Sequence, residues 1–342
     1  MGVLVVISMP SIKKILVIRL SSIGDIILTT PLLRHLYAAY PDVRIDYCTK
    51  QPFVALLASN PRLSTVYTPG QLPTEPFDLV VDLQNNHRSR AIVRSLHAAK
   101  TVSYRKENWK KWLMVQFKIN LYPSLRSVVE RYHDALNELG VPDDLGGCEL
   151  YPSPADIAFT EPYFEGGTKT LALCFGANHF TKRYPPQHFT ALLSLLFMEA
   201  NGPLKVVLLG GKDDVAQASE ILKTLQSEYS SKVVNLAGRC TLMQTAAILE
   251  RCDAVLCNDT GLMHMASAFG KKLFVLFGSS AAVFGFLPYH NPFELFEVTG
   301  LRCRPCSHIG RDRCPKGHFR CMNDLSETLI ARKIIDYLDE RL

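Results

Sequence analysis

The sequence predicts an α/β protein with two domains, each a parallel sheet covered by helices. Its 342 residues exceed one average domain, and 47% hydrophobic with 20% charged residues is typical of globular proteins. Short apolar runs alternate with helix-like periodicities, which is the pattern of parallel sheets with helices on both faces. Glycine and proline cluster at residues 140–154 and interrupt this alternation. We therefore expect domains at residues 1–165 and 166–326 that face an interdomain cleft, with a C-terminal helix at 327–342 able to pack back on the first.

In the first half of the chain, predicted strands and helices alternate from residue 14 onward. Apolar and β-branched runs predict strands at 14–20, 44–48, 78–83 and 102–104. Apolar residues at three- and four-residue spacing predict helices at 24–39, 88–97, near 107–118 and at 128–139. Pro31 is expected to interrupt the first of these helices.

The second half repeats the pattern. Strands are predicted at 170–175, 205–209, 233–236, 254–257 and 273–277. Helices are predicted at 187–199, 215–228, 242–251 and 262–269. In open parallel sheets, ligands bind beyond the carboxyl ends of the strands, so the turns that follow strands are the places to seek a site.

The turn Asn258-Asp259-Thr260-Gly261 follows a buried-strand run and opens a short helix. The first turn of a helix presents free N–H groups and a partial positive charge, which suit a phosphate. The alternative is a simple helix start with Asp259 as the N-cap. The turn alone does not decide between the two.

A second turn, from Arg19 to Asp25, follows the first predicted strand. Ser22 or Asp25 could cap the next helix. Asp25 could instead act as a general base toward a bound hydroxyl, and Gly24 beside it would allow a ligand to approach closely.

A third loop, residues 176–185, follows the strand at 170–175 and carries Thr181, Lys182 and Arg183. Such basic residues are either solvated loop charges or phosphate contacts. If they share a sheet edge with the turn at 258–261, the two loops together would suit a diphosphate.

Taken in order, these motifs resemble glycosyltransferase family 9, the ADP-heptose:lipopolysaccharide heptosyltransferases. The motifs are Arg19-Leu-Ser-Ser-Ile-Gly-Asp25, Val81-Asp-Leu-Gln84, Gly176-Ala-Asn-x-x-x-Lys182-Arg-Tyr-Pro185, Leu209-Gly-Gly211, Leu236-Ala-Gly238 and Asn258-Asp-Thr-Gly-Leu-Met-His264. The resemblance covers residues 13–325 and implies a GT-B fold of two Rossmann-like domains. The first would mainly bind the acceptor and the second the nucleotide-sugar donor. It implies an inverting, metal-independent transfer of heptose from ADP-heptose to the inner core of lipopolysaccharide. The alternative is the same mechanism with another nucleotide sugar or glycan acceptor.

The resemblance also implies the site residues. Asp25 matches the proposed general base, and Lys182 matches the lysine that holds the donor phosphates. The implied donor contacts are Thr181, Lys182, Leu242, Met243, Asp259, Thr260, Gly261 and His264. The implied acceptor contacts are Ser22, Gly24, Gln84 and Arg88. Because Asp259 is negative where a diphosphate arrives, we expect its carboxylate to cap an amide or bind a sugar hydroxyl. No cofactor and no catalytic metal are expected.

Positive charge is concentrated in residues 87–126, which hold ten basic residues and one acid, a net charge of +9 against +6 for the whole chain. Within this segment, Trp109, Trp112, Leu113, Phe117 and Leu121 share one helical face. This stripe is either a core face with a solvated back or an amphipathic helix that meets anionic headgroups or an acidic glycolipid. We expect a lipid A–core glycolipid acceptor, peripheral contact with the cytoplasmic face of the inner membrane, and no nucleic acid partner.

The ten cysteines raise a separate question. The apolar runs are far shorter than the roughly 18–20 residues of a membrane span, and no signal peptide is evident, so a reducing cytoplasm is expected. Cys303, Cys306, Cys314 and Cys321 have a zinc-like composition with irregular spacing. A structural zinc, reduced thiols and disulfides all stay open, and none implies a catalytic role.

Two other function classes fit the sequence less well. A nicotinamide-dependent Rossmann enzyme would show G-x-G-x-x-G after the first strand of a domain, and neither half does. A zinc-stabilised module that binds nucleic acid would rest on the terminal cysteines alone.

Overall fold

A computed structural model describes residues 12–164 and 166–340. The chain forms two compact units: unit 1 contains residues up to 106 together with 129–146, and unit 2 contains residues 107–128 together with those from 147 onward. The N-terminal residues on which the expected lack of a signal peptide rests lie outside the described residues. Within the described ranges, no helix has both the length and the apolar character needed to cross a bilayer.

The first part of the chain supplies the sheet of unit 1. Its strands are β1 (Lys14–Ile18), β2 (Arg44–Cys48), β3 (Thr65–Tyr67), β4 (Phe77–Asp82) and β5 (Ala98–Ser103). Its helices are α1 (Ile23–Ile27), α2 (Thr30–Ala39) and α3 (His87–Ser95), followed by α4 (Asn108–Phe117) in unit 2 and α5 (Val128–His133) at the unit boundary. All strand pairs are parallel, in the order β3-β2-β1-β4-β5.

Unit 2 has a second parallel sheet. Its strands are β6 (Lys169–Cys174), β7 (Leu204–Leu209), β8 (Val233–Asn235), β9 (Ala254–Asn258), β10 (Lys272–Leu276) and β11 (Phe293–Phe296), in the order β11-β10-β9-β6-β7-β8. Its further helices are α6 (Pro154–Thr160), α7 (Pro186–Glu199), α8 (Val215–Thr224), α9 (Leu242–Arg251), α10 (Gly261–Ser267), α11 (Arg320–Asn323) and α12 (Glu327–Asp339). The predicted α/β class with two parallel sheets is therefore confirmed.

The apolar strand sequences explain this architecture. Leu16, Val17 and Ile18 of β1 are fully buried, as are Val255 and Leu256 of β9, because helices cover both faces of a parallel sheet. Burial of each such side chain contributes about 1.5–3 kcal/mol. The helix predicted at 24–39 is divided into α1 and α2, and Pro31 stands in the first turn of α2, where its missing N–H costs nothing.

The two compact units divide the chain differently from the expected domains. Residues 107–128 group with unit 2, and unit 2 begins at residue 147, whereas a single boundary at 165 was expected. Helix α12 packs on α7, and Ile330, Ile334 and Leu338 join the core of unit 2. Helix α12 therefore belongs to unit 2, where its apolar face completes the covering layer of the second sheet.

Candidate active site

The candidate loops of each unit lie where the strand order reverses. In unit 1, β1 lies between β2 and β4, and the turns after β1 and β4 carry Asp25 and Gln84. In unit 2, β6 lies between β9 and β7, and the loops after β6 and β9 carry Lys182 and Asp259. Such a reversal opens a crevice at the carboxyl ends of the strands, which is the usual place for a ligand in open α/β sheets.

Asp25 lies in the first turn of α1, at the carboxyl end of β1. Its Oδ1 atom is 2.6 Å from Nη2 of Arg19 and accepts a 3.4 Å hydrogen bond from the hydroxyl of Tyr132. Its Oδ2 atom accepts hydrogen bonds from the backbone N–H and the hydroxyl of Ser22, at 3.1 and 3.0 Å. An ionised carboxylate offers about four acceptor positions, so all are in use. Ser22 is the exposed residue among these partners.

Two opposing influences set the pKa of Asp25. Burial of the carboxyl group raises the pKa, but the positive charge of Arg19 and the hydrogen bonds from Ser22 outweigh burial. The net effect is a pKa below the ordinary value of 3.8. Asp25 is therefore ionised at neutral pH, which is the protonation state that a general base requires.

Arg19 fixes the position of this carboxylate. Its side chain is buried, its Nε atom donates to the carbonyl of Ser21 at 2.9 Å, and its Nη1 atom donates to the carbonyl of Leu83 at 2.8 Å. Its guanidinium also lies 5.6 Å from the ring centre of Tyr132. Arg19 and Tyr132 were missed as site residues. Arg19 stood in the quoted motif, whereas nothing in the sequence relates Tyr132 of α5 to this turn.

The four residues expected to contact an acceptor differ in exposure. Ser22 and Arg88 are exposed, whereas Gly24 and Gln84 are buried. The side-chain oxygen of Gln84 accepts a 3.0 Å hydrogen bond from the N–H of Leu20, which ties the turn after β4 to the end of β1. Gln84 thus supports the Asp25 turn, and its contact with an acceptor stays a prediction.

Lys182 and Asp259 form a mostly buried ion pair in unit 2. Lys182 Nζ is 2.7 Å from Asp259 Oδ2, and the two side chains are 16% and 5% exposed. Thr260, not Asp259, is the N-cap of α10, so the alternative of Asp259 as the N-cap is wrong, and its contact with a sugar hydroxyl stays a prediction. A buried carboxylate is strongly destabilising without a partner, and Lys182 supplies one.

Asn258 joins the two loops that carry this pair. It is fully buried, its Nδ2 atom donates to the carbonyl of Phe175 at 2.6 Å, and its Oδ1 atom accepts from the N–H of Tyr184 at 3.3 Å. One side chain therefore connects the ends of β9 and β6 and the segment just after Lys182. The sequence signal for this positioning role was a polar residue at the end of an apolar run.

The neighbours of Lys182 are engaged with protein atoms. Thr181 is buried, and its hydroxyl accepts a 2.8 Å hydrogen bond from the N–H of Arg311. Nε of Arg183 donates to the carbonyl of Ala177 at 2.6 Å. The expected donor contact of Thr181 stays a prediction.

The start of α10 has no side-chain cap. Thr260 makes no capping hydrogen bond, and its buried Oγ1 atom has no hydrogen-bond partner within the part of the chain that the structure describes. Gly261 is the first helical residue, so the backbone N–H groups of this turn lack a capping side chain. His264 is buried one turn later, with its ring edge-on to Phe286 at 6.4 Å.

The two residues expected beside the nucleotide base begin α9. Thr241 caps this helix by accepting a 3.1 Å hydrogen bond from the N–H of Gln244. Leu242 is half-buried, whereas Met243 is 6% exposed and belongs to the core. Leu242 is therefore the more accessible of the two, and contact of either residue with a base stays a prediction.

The four terminal cysteines are free thiols in this structure. Cys303 Sγ is 3.8 Å from His318 Nε2, but among the described residues no three of the cysteine sulfurs lie within 4.8 Å of one another. Burial raises the pKa of Cys306 and raises that of Cys321 to about 11, so these thiols are protonated at neutral pH. In the described geometry, the four sulfurs are not close enough to one another to coordinate one zinc ion.

Another group of metal-type ligands, in unit 1, has a structural explanation. His35, Asp143 and Asp144 lie close enough to share an ion. However, Nη2 of Arg34 donates to Asp144 Oδ1 at 2.8 Å, and the N–H of Gly146 donates to the same oxygen at 2.8 Å. His35 Nε2 is also 2.8 Å from this atom. Arg34 already supplies the positive charge that a metal ion would bring to Asp144. These contacts therefore hold the segment after α5 in place.

Comparisons with known proteins identify the family. A model described as glycosyltransferase family 9 (heptosyltransferase) matches residues 70–314. The chain is 30% identical over 360 aligned residues to lipooligosaccharide heptosyltransferase 2 of Haemophilus influenzae, covering 95% of this chain and 99% of that protein. It is 27% identical to lipopolysaccharide heptosyltransferase 2 of Escherichia coli, covering 94% and 97%. The solved structure of E. coli ADP-heptose lps heptosyltransferase II matches with a TM-score of 0.76 at 24% identity, covering 96% of this chain and 100% of that one.

The family match spans most of the chain, the similarity to the Haemophilus protein runs nearly end to end, and the fold agrees with two parallel-sheet units. The chain therefore belongs to glycosyltransferase family 9 and is a glycosyltransferase with the GT-B fold.

Proposed function

We propose that this chain transfers a heptose from ADP-heptose to the inner core of lipopolysaccharide by one inverting displacement, without a metal ion. The observation that carries the proposal is in unit 2. The Lys182–Asp259 ion pair lies beside the uncapped start of α10, where Thr260 holds a buried hydroxyl with no partner among the described residues. A cation, an unpaired hydroxyl and the N–H groups of an uncapped helix start together suit a diphosphate.

The donor half of the proposal concerns the leaving group. When the bond between the anomeric carbon and the diphosphate oxygen breaks, negative charge develops on ADP. Lys182 and the N–H groups of Thr260 and Gly261 are fixed before the reaction, so they stabilise that charge without reorganisation. Asp259 keeps Lys182 in place, and we infer that its carboxylate contacts a sugar hydroxyl, not phosphate.

The acceptor half concerns Asp25. The acceptor oxygen forms the new bond to the anomeric carbon, and its proton passes to the carboxylate of Asp25. Because the pKa of Asp25 is lowered, the proton moves late, after the forming bond has made the hydroxyl strongly acidic. We infer that the acceptor hydroxyl takes the position on Oδ2 that the exposed Ser22 hydroxyl now occupies.

The proposed acceptor is a lipid A–core glycolipid, which is anchored in a membrane. We therefore propose that the enzyme works in the cytoplasm and makes peripheral contact with the inner membrane. The curated relatives named above are lipooligosaccharide and lipopolysaccharide heptosyltransferases, which supports this acceptor class.

Thermal stability measured with a panel of nucleotide sugars tests the proposed donor. A ligand at about 100 times its Kd stabilises the folded state by roughly 2.7 kcal/mol, so ADP-heptose should raise the melting temperature more than UDP- or GDP-sugars do. Turnover of ADP-heptose should persist in excess chelator. A larger shift with another nucleotide sugar would favour the alternative donor, and activity lost to chelator and restored by a divalent cation would contradict metal independence.

Replacing Thr260 with valine is expected to weaken ADP binding without lowering the melting temperature. The Thr260 hydroxyl makes no hydrogen bond to the described residues, so its loss removes a ligand contact and no bond of the fold. Thr241→Val is the matched control, because its hydroxyl caps α9 and its loss should cost about 0.5–2 kcal/mol of stability. Calorimetric ADP binding and thermal unfolding separate the two effects. Unchanged ADP affinity in Thr260→Val would exclude Thr260 from the donor site.

Replacing Arg19 with glutamine is expected to move the acidic limb of the pH–rate profile to higher pH. Because only ionised Asp25 accepts the proton and its pKa is lowered, this limb is expected below the ordinary value of 3.8 in the native protein. Without the guanidinium, the largest influence opposing burial is lost, so the pKa of Asp25 should rise. Arg19→Lys keeps the charge and should leave the limb close to its native position. If both variants titrate like the native enzyme, Asp25 is not the titrating base.

A further inference from the structure

Residues 107–128 form a segment that we call the strap. The strap leaves unit 1 after β5, belongs to unit 2, and contains α4. Lys118 Nζ donates to the carbonyl of Pro305 at 2.6 Å, Lys111 Nζ lies 5.8 Å from the ring centre of Phe286, and the N–H of Val128 donates to the carbonyl of Gly285 at 2.9 Å. The strap is therefore fastened to unit 2 along its length.

The apolar face of α4 points to solvent. No residue of this helix is buried, and Trp109, Trp112 and Phe117 are 58%, 55% and 58% exposed. The rings of Trp112 and Phe117 contact each other edge-on at 5.3 Å, and Trp109 lies one helical turn before Trp112. The interpretation of this stripe as a core face is therefore wrong.

The exposed apolar side chains of the described residues are concentrated in the strap. Fourteen large hydrophobic side chains are exposed, and six of them lie between residues 109 and 125. The six are Trp109, Trp112, Phe117, Ile119, Leu121 and Leu125. A concentration of this kind marks an interaction surface, since isolated exposed side chains would be scattered over the chain.

The charge of the strap indicates the partner. The strap holds four basic residues, Lys110, Lys111, Lys118 and Arg126, against the single acid Glu107. Lys110 and Lys111 are half-buried beside the exposed rings, with Lys110 Nζ 5.7 Å from the ring centre of Trp109. Tryptophan rings favour the headgroup level of a bilayer, and neighbouring lysines favour anionic lipids.

We propose that the strap is a membrane-docking surface that places Trp109, Trp112 and Phe117 among the headgroups of a bilayer containing anionic phospholipid. Helix α4 would lie in the plane of the interface, and the net positive charge of the strap would favour anionic lipid over neutral lipid. This deepens the membrane contact proposed above. It does not depend on the transfer reaction, because docking requires neither donor nor acceptor.

Intrinsic fluorescence tests this surface directly, because the chain has two tryptophans and both are in the strap. Vesicles of phosphatidylglycerol mixed with phosphatidylcholine should shift the emission of the full chain to shorter wavelength and carry the protein into the pellet on centrifugation. Pure phosphatidylcholine vesicles should bind more weakly, and high salt should reduce binding to the anionic vesicles. An unshifted spectrum with anionic vesicles would contradict the proposal.

Variants distinguish docking by the strap from nonspecific adsorption to lipid through other exposed apolar side chains. Trp109→Ser/Trp112→Ser/Phe117→Ser should reduce partitioning into anionic vesicles by on the order of tenfold or more. The matched control Met198→Ser/Leu329→Ser removes two side chains that are 65% and 51% exposed elsewhere on unit 2, and should leave partitioning unchanged. Melting temperatures verify that each variant folds.

Two outcomes would overturn the proposal. One is equal vesicle binding by the strap variant and the native chain. The other is the absence of vesicle binding together with a native oligomer that the strap variant converts to monomer, because the strap would then be an interface between copies of the chain. Failure of heptosyl transfer with intact vesicle binding would reject the proposed reaction and leave the docking surface standing.

Discussion

Asp25→Asn is expected to reduce heptosyl transfer by about 10²–10⁴-fold while ADP binding stays unchanged. Asparagine has nearly the shape of aspartate, but its neutral amide accepts no proton from the acceptor hydroxyl. The donor contacts proposed here lie in unit 2, so nucleotide affinity should not follow the loss of rate. Initial rates at saturating donor, with calorimetric ADP binding on the same samples, measure both quantities.

Asp144→Asn is the matched control for this substitution. Asp144 is another carboxylate of unit 1 that pairs with an arginine, Arg34, but it lies outside the turns after β1 and β4. The control should retain transfer, which separates the loss of a base from the loss of an arginine pair. A normal rate in Asp25→Asn would remove Asp25 from the mechanism.

Lys182→Met is expected to lower kcat by about 10²–10³-fold and to weaken ADP binding, because it removes the cation proposed to stabilise the leaving diphosphate. It also leaves Asp259 buried without a partner, which should destabilise the fold by about 3–5 kcal/mol. The control Lys333→Met breaks an exposed pair with Glu294 in the same unit and should cost at most about 1 kcal/mol, with no loss of rate.

The double variant Lys182→Met/Asp259→Asn separates stability from catalysis. Removing the negative charge should restore most of the stability lost in Lys182→Met, because no buried charge is then left unpaired. Transfer should remain low, since the cation is still missing. Denaturant unfolding measures the change in stability, and steady-state kinetics measures the change in transfer rate. Recovery of transfer together with stability would mean that Lys182 acts only through the fold.

Buried parallel strands explain why the fold could be predicted from the sequence. Helices cover both faces of such a strand, so β1 and β9 appear as continuous apolar runs that end in a polar turn. Short edge strands carry little pattern, and β3 and β11 were missed for that reason. Helix α6 was missed because it begins within a proline-rich stretch that was interpreted as a linker.

Pairings between distant residues could not be predicted in the same way. Periodicity shows that α4 has an apolar face but not whether that face meets protein or solvent, and here it meets solvent. The ion pair of Lys182 with Asp259 and the contact of Tyr132 with Asp25 depend on tertiary packing. For Asp259 the sequence therefore predicts a cap or a contact with a sugar hydroxyl, but not its pairing with a lysine on the neighbouring loop.

The most direct test of the proposed function is a mass measurement of the acceptor after incubation with ADP-heptose and the native chain. A heptose-accepting core glycolipid should gain one heptosyl unit for each ADP released, in the presence of excess chelator. The Asp25→Asn variant should yield almost no product in the same time. Release of ADP without a gain in acceptor mass, or a gain only when another nucleotide sugar is supplied, would contradict it.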